Sequence, residues 1–241
     1  MRTRFLFPIL VLLAATTSFA DIKHFYNVEK MSGWGKCAEC AGAGGTGPSG
    51  TVTLERYQSS PSLDGNSTRF FLGSTTPYTN GLFWRELIWP TQASTNRATH
   101  HFIYDAYFYL KSSAATGGLE WDINQYIDGK KYLFGTQCGY HTTGTWDVYD
   151  NINHKWVSTG VGCAVPTAYK WHHVTVEVER TTGGRVHYVS VTMDGSKHYL
   201  NRYYYPTSTS FSAVTVNYQM DGNKAATDYN TWLNKLTLTY W

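Results

Sequence analysis

The chain has 241 residues, with 20 Lys and Arg against 17 Asp and Glu, for a formal charge of +3. That excess is small and its basic residues are dispersed, which excludes the basic stripe of a nucleic-acid binder. Charged residues make up 15% of the chain and aromatics 16%, with 9 Trp and 19 Tyr, so much of the polar surface is hydroxyl, amide and indole, a composition suited to stacking on sugars.

Residues 1–20 read as an export signal: Arg2 and Arg4, an apolar run from Phe5 to Ala15, then small residues at Ser18 and Ala20. The run is shorter than the roughly 20 residues a membrane-spanning helix needs, and no later stretch comes closer. The mature chain is therefore expected to begin near Asp21 and to be secreted, extracellular or periplasmic, without membrane insertion. Residues 21–241 suit one domain, since a single β-sandwich or barrel commonly reaches that size, and a monomer is expected. Its first part, 21–50, ends in the glycine-rich run from Ala41 to Gly50, which reads as a loop. No Gly-Lys-Ser/Thr follows it, so a phosphate cradle lacks its parts.

The cysteines are Cys37, Cys40, Cys138 and Cys163, and an exported chain meets conditions that favour disulfides. Of the three pairings open to four cysteines, Cys37 with Cys40 and Cys138 with Cys163 is preferred, because the second bond ties neighbouring strand segments. A redox or zinc role for Cys37-Ala-Glu-Cys40 lacks both the strand-to-helix context and a second Cys-x-x-Cys.

From Thr51 onward short runs alternate apolar and polar residues, the period of half-buried strands. Examples are Phe102 to Leu110, Val174 to Val178, Val186 to Met193, Val214 to Met220 and Leu233 to Trp241, with turn signals such as Asp128-Gly129, Asp194-Gly195 and Asp221-Gly222 between them. No amphipathic helix pattern is evident. Many short strands and almost no helix predict an all-β sandwich or jelly roll.

The most informative stretch runs from Gly118 to Tyr126. On a strand, Glu120, Asp122 and Asn124 share one face while Leu119, Trp121 and Ile123 point into a core. Two interacting carboxylates on one strand push their pKa values apart, one way a nucleophile and a helper acid arise; a structural polar row is the competing reading. Aromatic and amide residues follow, among them Tyr126, Gln137, Trp146, Asp147, Tyr149, Asn151, His154 and Trp156. About half of that cluster is expected to be structural, since Tyr and Trp also fill sandwich cores. In Thr215 to Asp221, Asn217 and Gln219 are expected to face the same groove, in preference to Tyr218. The neighbouring pairs His100-His101 and His172-His173 point to opposite faces of a strand, so neither pair forms a two-ligand metal site on its own.

Glu120-Trp121-Asp122-Ile123 resembles the Glu-x-Asp-x segment of laminarinase- and lichenase-type glycoside hydrolases. Trp171-His172-His173-Val174, the hairpin Met193-Asp194-Gly195 and the closing Trp232 to Leu238 are similar to strands found across the concanavalin A-like lectin and glucanase superfamily. The resemblance covers roughly residues 100 to 241 and implies a concanavalin A-like jelly-roll β-sandwich of two antiparallel sheets. It also implies that Glu120 is a nucleophile and Asp122 its helper. Where that family carries its glutamate acid/base, this chain has Asn124 and Gln125, and an amide cannot supply the proton a leaving glycosidic oxygen needs. A relocated acid is expected at Glu86 or Asp147 if the chain hydrolyses. Arg85 and Glu86, within Leu82 to Trp89, are similar to the Arg-x-Glu-Leu strand of jelly-roll alginate lyases, with no Gln-Ile-His segment to match the lyase base.

The resulting expectation is a protein that binds a polysaccharide or oligosaccharide in an aromatic and polar groove, with an endo-glucanase-type hydrolase or a polysaccharide lyase as alternatives. Its candidate catalytic residues are Glu120, Asp122 and Glu86. Its candidate binding residues are Trp84, Arg85, Asn124, Gln125, Gln137, Trp146, Asp147, Asn217 and Gln219. The sequence calls for no cofactor, leaves room for a structural calcium, and identifies no metal ligand.

Overall fold

The computed structural model describes residues 21–38, 50–74 and 76–241. The segment 1–20 expected to be an export signal, Cys40 and most of the glycine-rich run lie outside the described residues.

Among the described residues seventeen strands run in chain order: β1 (Lys23–Phe25), β2 (Gly35–Ala38), β3 (Thr51–Gln58), β4 (Ser67–Gly73), β5 (Asn80–Ile88) and β6 (His101–Leu110). Then come β7 (Thr116–Ile127), β8 (Lys130–Phe134), β9 (Thr136–Cys138), β10 (Thr145–Asp150), β11 (Lys155–Gly162) and β12 (Trp171–Arg180). The last are β13 (Val186–Met193), β14 (Ser196–Tyr204), β15 (Thr207–Ser208), β16 (Ala213–Gly222) and β17 (Tyr229–Tyr240). One sheet has the order β14-β13-β12-β6-β17-β4-β3, with β1 added against β17; the other has β11-β10-β9-β7-β16-β5-β2, with β8 paired to β7 and β15 to β8. Every pairing is antiparallel, from the long β16–β7 and β17–β6 ladders to the short β15–β8 contact. This is an all-β jelly-roll sandwich, as the alternation predicted.

The alternation also decides the core. Phe70, Phe83, Phe108, Trp121 and Tyr218 are fully buried between the sheets, with Phe70 edge-on to Phe83 and Tyr218. Their neighbours one residue away face outward, which is why one face of β7 and β16 stays polar. Cys138 and Cys163 form the expected disulfide across a Cα separation of 5.7 Å. Cys37 is also disulfide-bonded.

Two features escaped the sequence reading. The short helix α1 (Ala93–Ala98) is fastened by Asn96, whose amide donates to the Tyr126 carbonyl at 2.8 Å; a helix held by one polar side chain shows no apolar stripe to read. Glu29 is fully buried and accepts the backbone N–H groups of Lys235 and Leu236, both at 2.9 Å, at the bulge where β17 changes register. Burial raises its pKa to about 7 against the lowering pull of those hydrogen bonds and Lys30.

The Trp-His and Asp-Gly motifs belong to the sheet opposite the groove described next. Asp194, in the β13–β14 hairpin, pairs with His172 Nδ1 at 2.7 Å and accepts the His173 backbone N–H at 2.9 Å. The two histidines do face opposite ways, His173 meeting Asp105 at 2.9 Å.

Candidate functional site

The outward face of β5, β16 and β7 forms the floor of a groove of about 480 Å³. Cross-strand register sets the floor out in three rows: Leu82, Gln219 and Glu120; Trp84, Asn217 and Asp122; Glu86, Thr215 and Asn124. Period-2 alternation on all three strands puts every one of these side chains on the same face.

The middle row continues onto an aromatic wall. Tyr149 on β10 stands opposite Trp156 on β11, their ring centroids 5.4 Å apart. Gly135, between β8 and β9, makes room for both: a Cβ there would fall 2.9 Å from the Tyr149 Cβ and 3.1 Å from the Trp156 ring. At the other end of the row Trp84 lies over Gly35, where a Cβ would come within 2.2 Å of the indole. Two glycines thus let indoles settle at opposite sides of a polar floor, an arrangement in which flat rings and hydrogen-bonding groups converge.

The floor is acidic at one end. Glu120 is buried, accepts a hydrogen bond from Gln219 Nε2 at 2.5 Å, and shares a side-chain hydrogen bond with Asp221. Gln219 also reaches Asp221 at 3.0 Å. Burial, and then the charges of Asp221 and Asp122, hold the Glu120 carboxyl well above the ordinary carboxylate range. Asp122 is raised to about 7 by burial, with the Thr136 backbone N–H at 2.9 Å pulling it down and Asp221 pushing it up. At this spacing the three carboxyls do not readily ionise together, which favours the protonated forms of Glu120 and Asp122. A second hollow of about 140 Å³ continues past them, lined by Glu120, Gln137, Trp156 and Asp221.

The opposite end carries Lys131, whose pKa is lowered by burial and whose ammonium sits 6.0 Å from the Tyr126 ring centroid. Between the ends, two acceptors on the groove lining have no hydrogen-bond partner in the protein: Asn124 Oδ1 and Glu86 Oε1. Glu86 is raised by burial, with Arg85 opposing.

Of the residues singled out from sequence, Trp84, Glu86, Glu120, Asp122, Asn124, Asn217 and Gln219 line this groove. Gln137 lines the adjoining hollow. Others lie elsewhere. Gln125 faces away from the groove, its amide donating to the Asn96 and Thr99 carbonyls at 2.9 and 2.8 Å and its oxygen accepting from Arg180 at 2.9 Å. Trp146 is core, 5.8 Å from Trp121. Arg85 turns toward Gly33 and lies 5.4 Å from the Trp89 ring. Asp147 is buried behind Gln137, accepting from Gln137 at 3.0 Å, Thr143 at 2.8 Å and Thr145 at 2.6 Å. Asp221 was read only as a turn residue; the signal that finds it is its i+2 spacing from Gln219 on the same strand.

Glu86 also fails as the acid/base partner of Glu120. Two strand spacings of about 4.8 Å and four residues at about 3.4 Å separate their positions by about 17 Å on the sheet. A hydrolytic carboxyl pair spans at most roughly 9.5 Å. Among the described residues no group of three or more His, Cys, Asp or Glu side chains is arranged to hold a metal ion, and no helix is long and apolar enough to cross a membrane.

Fold and groove together define an all-β jelly-roll sandwich with an open polar channel on one sheet. In backbone comparison the chain is similar to the cellulose-induced protein Cip1, with a TM-score of 0.52 and 10% identity over 89% of this chain and 96% of that one. It is also similar to a conserved carbohydrate esterase of Shiga toxin-encoding bacteriophage phi24B, with a TM-score of 0.48 and 11% identity over 91% and 99% of the two chains. Peanut lectin follows with a TM-score of 0.43 and 13% identity over 92% and 98%. At these identities the likeness is one of fold. No family model and no curated protein matches the chain in sequence.

Proposed function

We propose that this protein is an exported monomer that binds a polysaccharide across the β5–β16–β7 face. The observation that carries the reading is the row Trp84, Asn217, Asp122, with Tyr149 and Trp156 beyond it: stacking surfaces at both ends of a hydrogen-bonding floor, in an open groove that a polymer can cross. The unpartnered oxygens of Asn124 and Glu86 await donors, and sugar hydroxyls are donors. The apolar leader at 1–20 and the Cys138–Cys163 disulfide support export.

Affinity electrophoresis in gels containing β-glucan, xylan, mannan or alginate tests this. The expected result is retardation on at least one polymer, lost in Trp84→Ala. Folded protein that migrates unretarded in all four defeats the reading.

A second reading, hydrolysis of the laminarinase or lichenase type, is favoured by one observation: Glu120 and Asp122 sit in a saccharide-sized groove with their pKa values raised by burial, as suits a general acid. It weighs less because Glu120 is hydrogen-bonded directly to Asp221, closer than the roughly 5 Å that separates a retaining pair. Reducing-sugar release that is abolished by Glu120→Gln would establish it. The lyase reading loses its arginine, since Arg85 points away from the groove.

A further inference from the structure

We infer that the end of the groove where Lys131 and Thr207 face each other is a subsite for an anionic substituent on a sugar ring, a carboxylate or a sulfate ester, and that the polymer is an acidic one. This rests on the saccharide-binding reading and names its substrate class.

Lys131 stands apart from the other amines of the chain. The described lysines are exposed except for Lys30 and Lys131, which are half-buried. Lys30 is matched by Asp64 at 2.6 Å and Glu29 at 3.9 Å. Lys131 lines the groove, and among the described residues its ammonium has no ion pair and no hydrogen bond; it meets only the Tyr126 ring, 6.0 Å from the centroid. Burial lowers its pKa, with no carboxylate opposing. Strand pairing places a second donor beside it. Thr207 on β15 is in register with Lys131 on β8, lines the same groove, and among the described residues has no hydrogen-bond partner for its hydroxyl.

An acceptor completes the set. Asn124 is 3% exposed, shares a side-chain hydrogen bond with Tyr126, and leaves Oδ1 without a partner. It stands opposite Leu133, so Lys131 is its diagonal neighbour on the same face, about 7 to 8 Å away and within reach of a long side chain. Tyr126 and Phe211, edge to face at 5.2 Å, line this end. One sugar ring spans these groups: a ring hydroxyl gives Asn124 its donor, and the substituent on the far side of the ring meets Lys131 and Thr207.

The half-buried ammonium decides what that substituent is. A hydroxyl offers it a neutral acceptor in exchange for water, whereas a carboxylate or sulfate returns a charge, with hydrogen bonds about twice as strong. The carboxyls of the floor stand clear of the site. Lys131 is in register with Tyr126, four residues from Asp122 and six from Glu120 along β7, and Glu86 is three strands away; by strand geometry each position lies about 14 Å or more from Lys131. That exceeds the screening length of about 8 Å at physiological salt, so the floor does not repel an anion held there.

Isothermal titration of the wild-type protein with hexamers that differ only at C6 reads the preference: cellohexaose, laminarihexaose and mannohexaose, each against its 6-carboxylate and its 6-sulfate. The expected result is affinity at least about tenfold higher for an anionic form than for its neutral parent, and which anion gains tells a uronate from a sulfate ester. Lys131→Met is expected to lose that preference while binding the neutral hexamer as before, and Lys131→Arg to keep most of it. Lys130→Met, which removes the same charge from the exposed neighbour one residue out of phase, is expected to leave it unchanged. Equal affinity for neutral and anionic forms, a preference that survives Lys131→Met, or one lost equally in Lys130→Met overturns the inference. A neutral hexamer bound with Trp84-dependent affinity and no gain from either anion leaves the groove reading standing and removes only the anionic subsite; no binding by any hexamer removes both.

Discussion

Replacing Asp122 by Asn should make the protein more stable, and only above mildly acid pH. Asp122 has a folded-state pKa of about 7, against about 3.9 in an unfolded chain. Below about pH 4 both states hold the proton and the acid costs nothing. As pH rises from there, the unfolded chain ionises while the folded one stays protonated, so stability falls until pH passes the folded value. Three units at about 1.4 kcal/mol each give a loss of about 4 kcal/mol at neutral pH and above. Asparagine cannot ionise, and its carbonyl can still accept the Thr136 N–H that Asp122 accepts at 2.9 Å. The stability difference between variant and wild type should therefore climb from near zero at about pH 4 to about 4 kcal/mol at about pH 8. At roughly 2 to 4 °C per kcal/mol, that is a rise in Tm of about 8 to 16 °C. Urea denaturation followed by circular dichroism across that range measures it. Glu177, Glu179 and Asp194 are lowered by their histidine, lysine or hydroxyl partners, against the opposing effect of burial, and lose stability toward acid. They are common to both proteins and drop out of the difference. A difference that stays flat with pH would refute the account of the acidic floor.

Other perturbations follow from the same geometry. Gly135→Ala should cost about 1 to 3 kcal/mol of stability by overpacking and weaken saccharide binding as well, because the new methyl displaces Tyr149 and Trp156; chemical denaturation and a binding titration on the same sample check both. Trp156→Ala, on the groove wall rather than in the core, should leave the fold intact by circular dichroism and reduce polysaccharide affinity by about tenfold, the equivalent of about 1.4 kcal/mol. Glu29→Ala leaves the Lys235 and Leu236 N–H groups unmet in a buried place, and should destabilise by about 2 to 4 kcal/mol in a urea melt. Opening the Cys138–Cys163 bond by double substitution to serine should cost about 3 kcal/mol, given a sequence separation of 25.

The fold was readable because alternation is strict where it matters: Leu119, Trp121 and Ile123 went inward and Glu120, Asp122 and Asn124 outward, as period 2 requires. The same rule chose Asn217 and Gln219 over Tyr218, which is fully buried. The same rule sets Gln125, one residue out of phase with Asn124, on the other face, and the structure follows strand phase rather than motif position. Trp146 and Asp147 stand out by composition alone, which does not separate a tryptophan stacked in the core from one on a wall. Arg85 and Glu86 are adjacent and so face apart, and only Glu86 reaches the groove. The Glu120–Asp221 contact was beyond reach, since the residues lie 101 positions apart and meet only through the β7–β16 register.

The central claim is where the saccharide lies, and the nine tryptophans report on it. Indole N–H resonances assigned by single Trp→Phe variants can be followed as a retained polysaccharide's oligomer is titrated in. The account expects Trp84 and Trp156 to shift together, with Trp171 and Trp232 on the opposite sheet unmoved. Shifts confined to Trp171 and Trp232, with Trp84 and Trp156 silent, would contradict it.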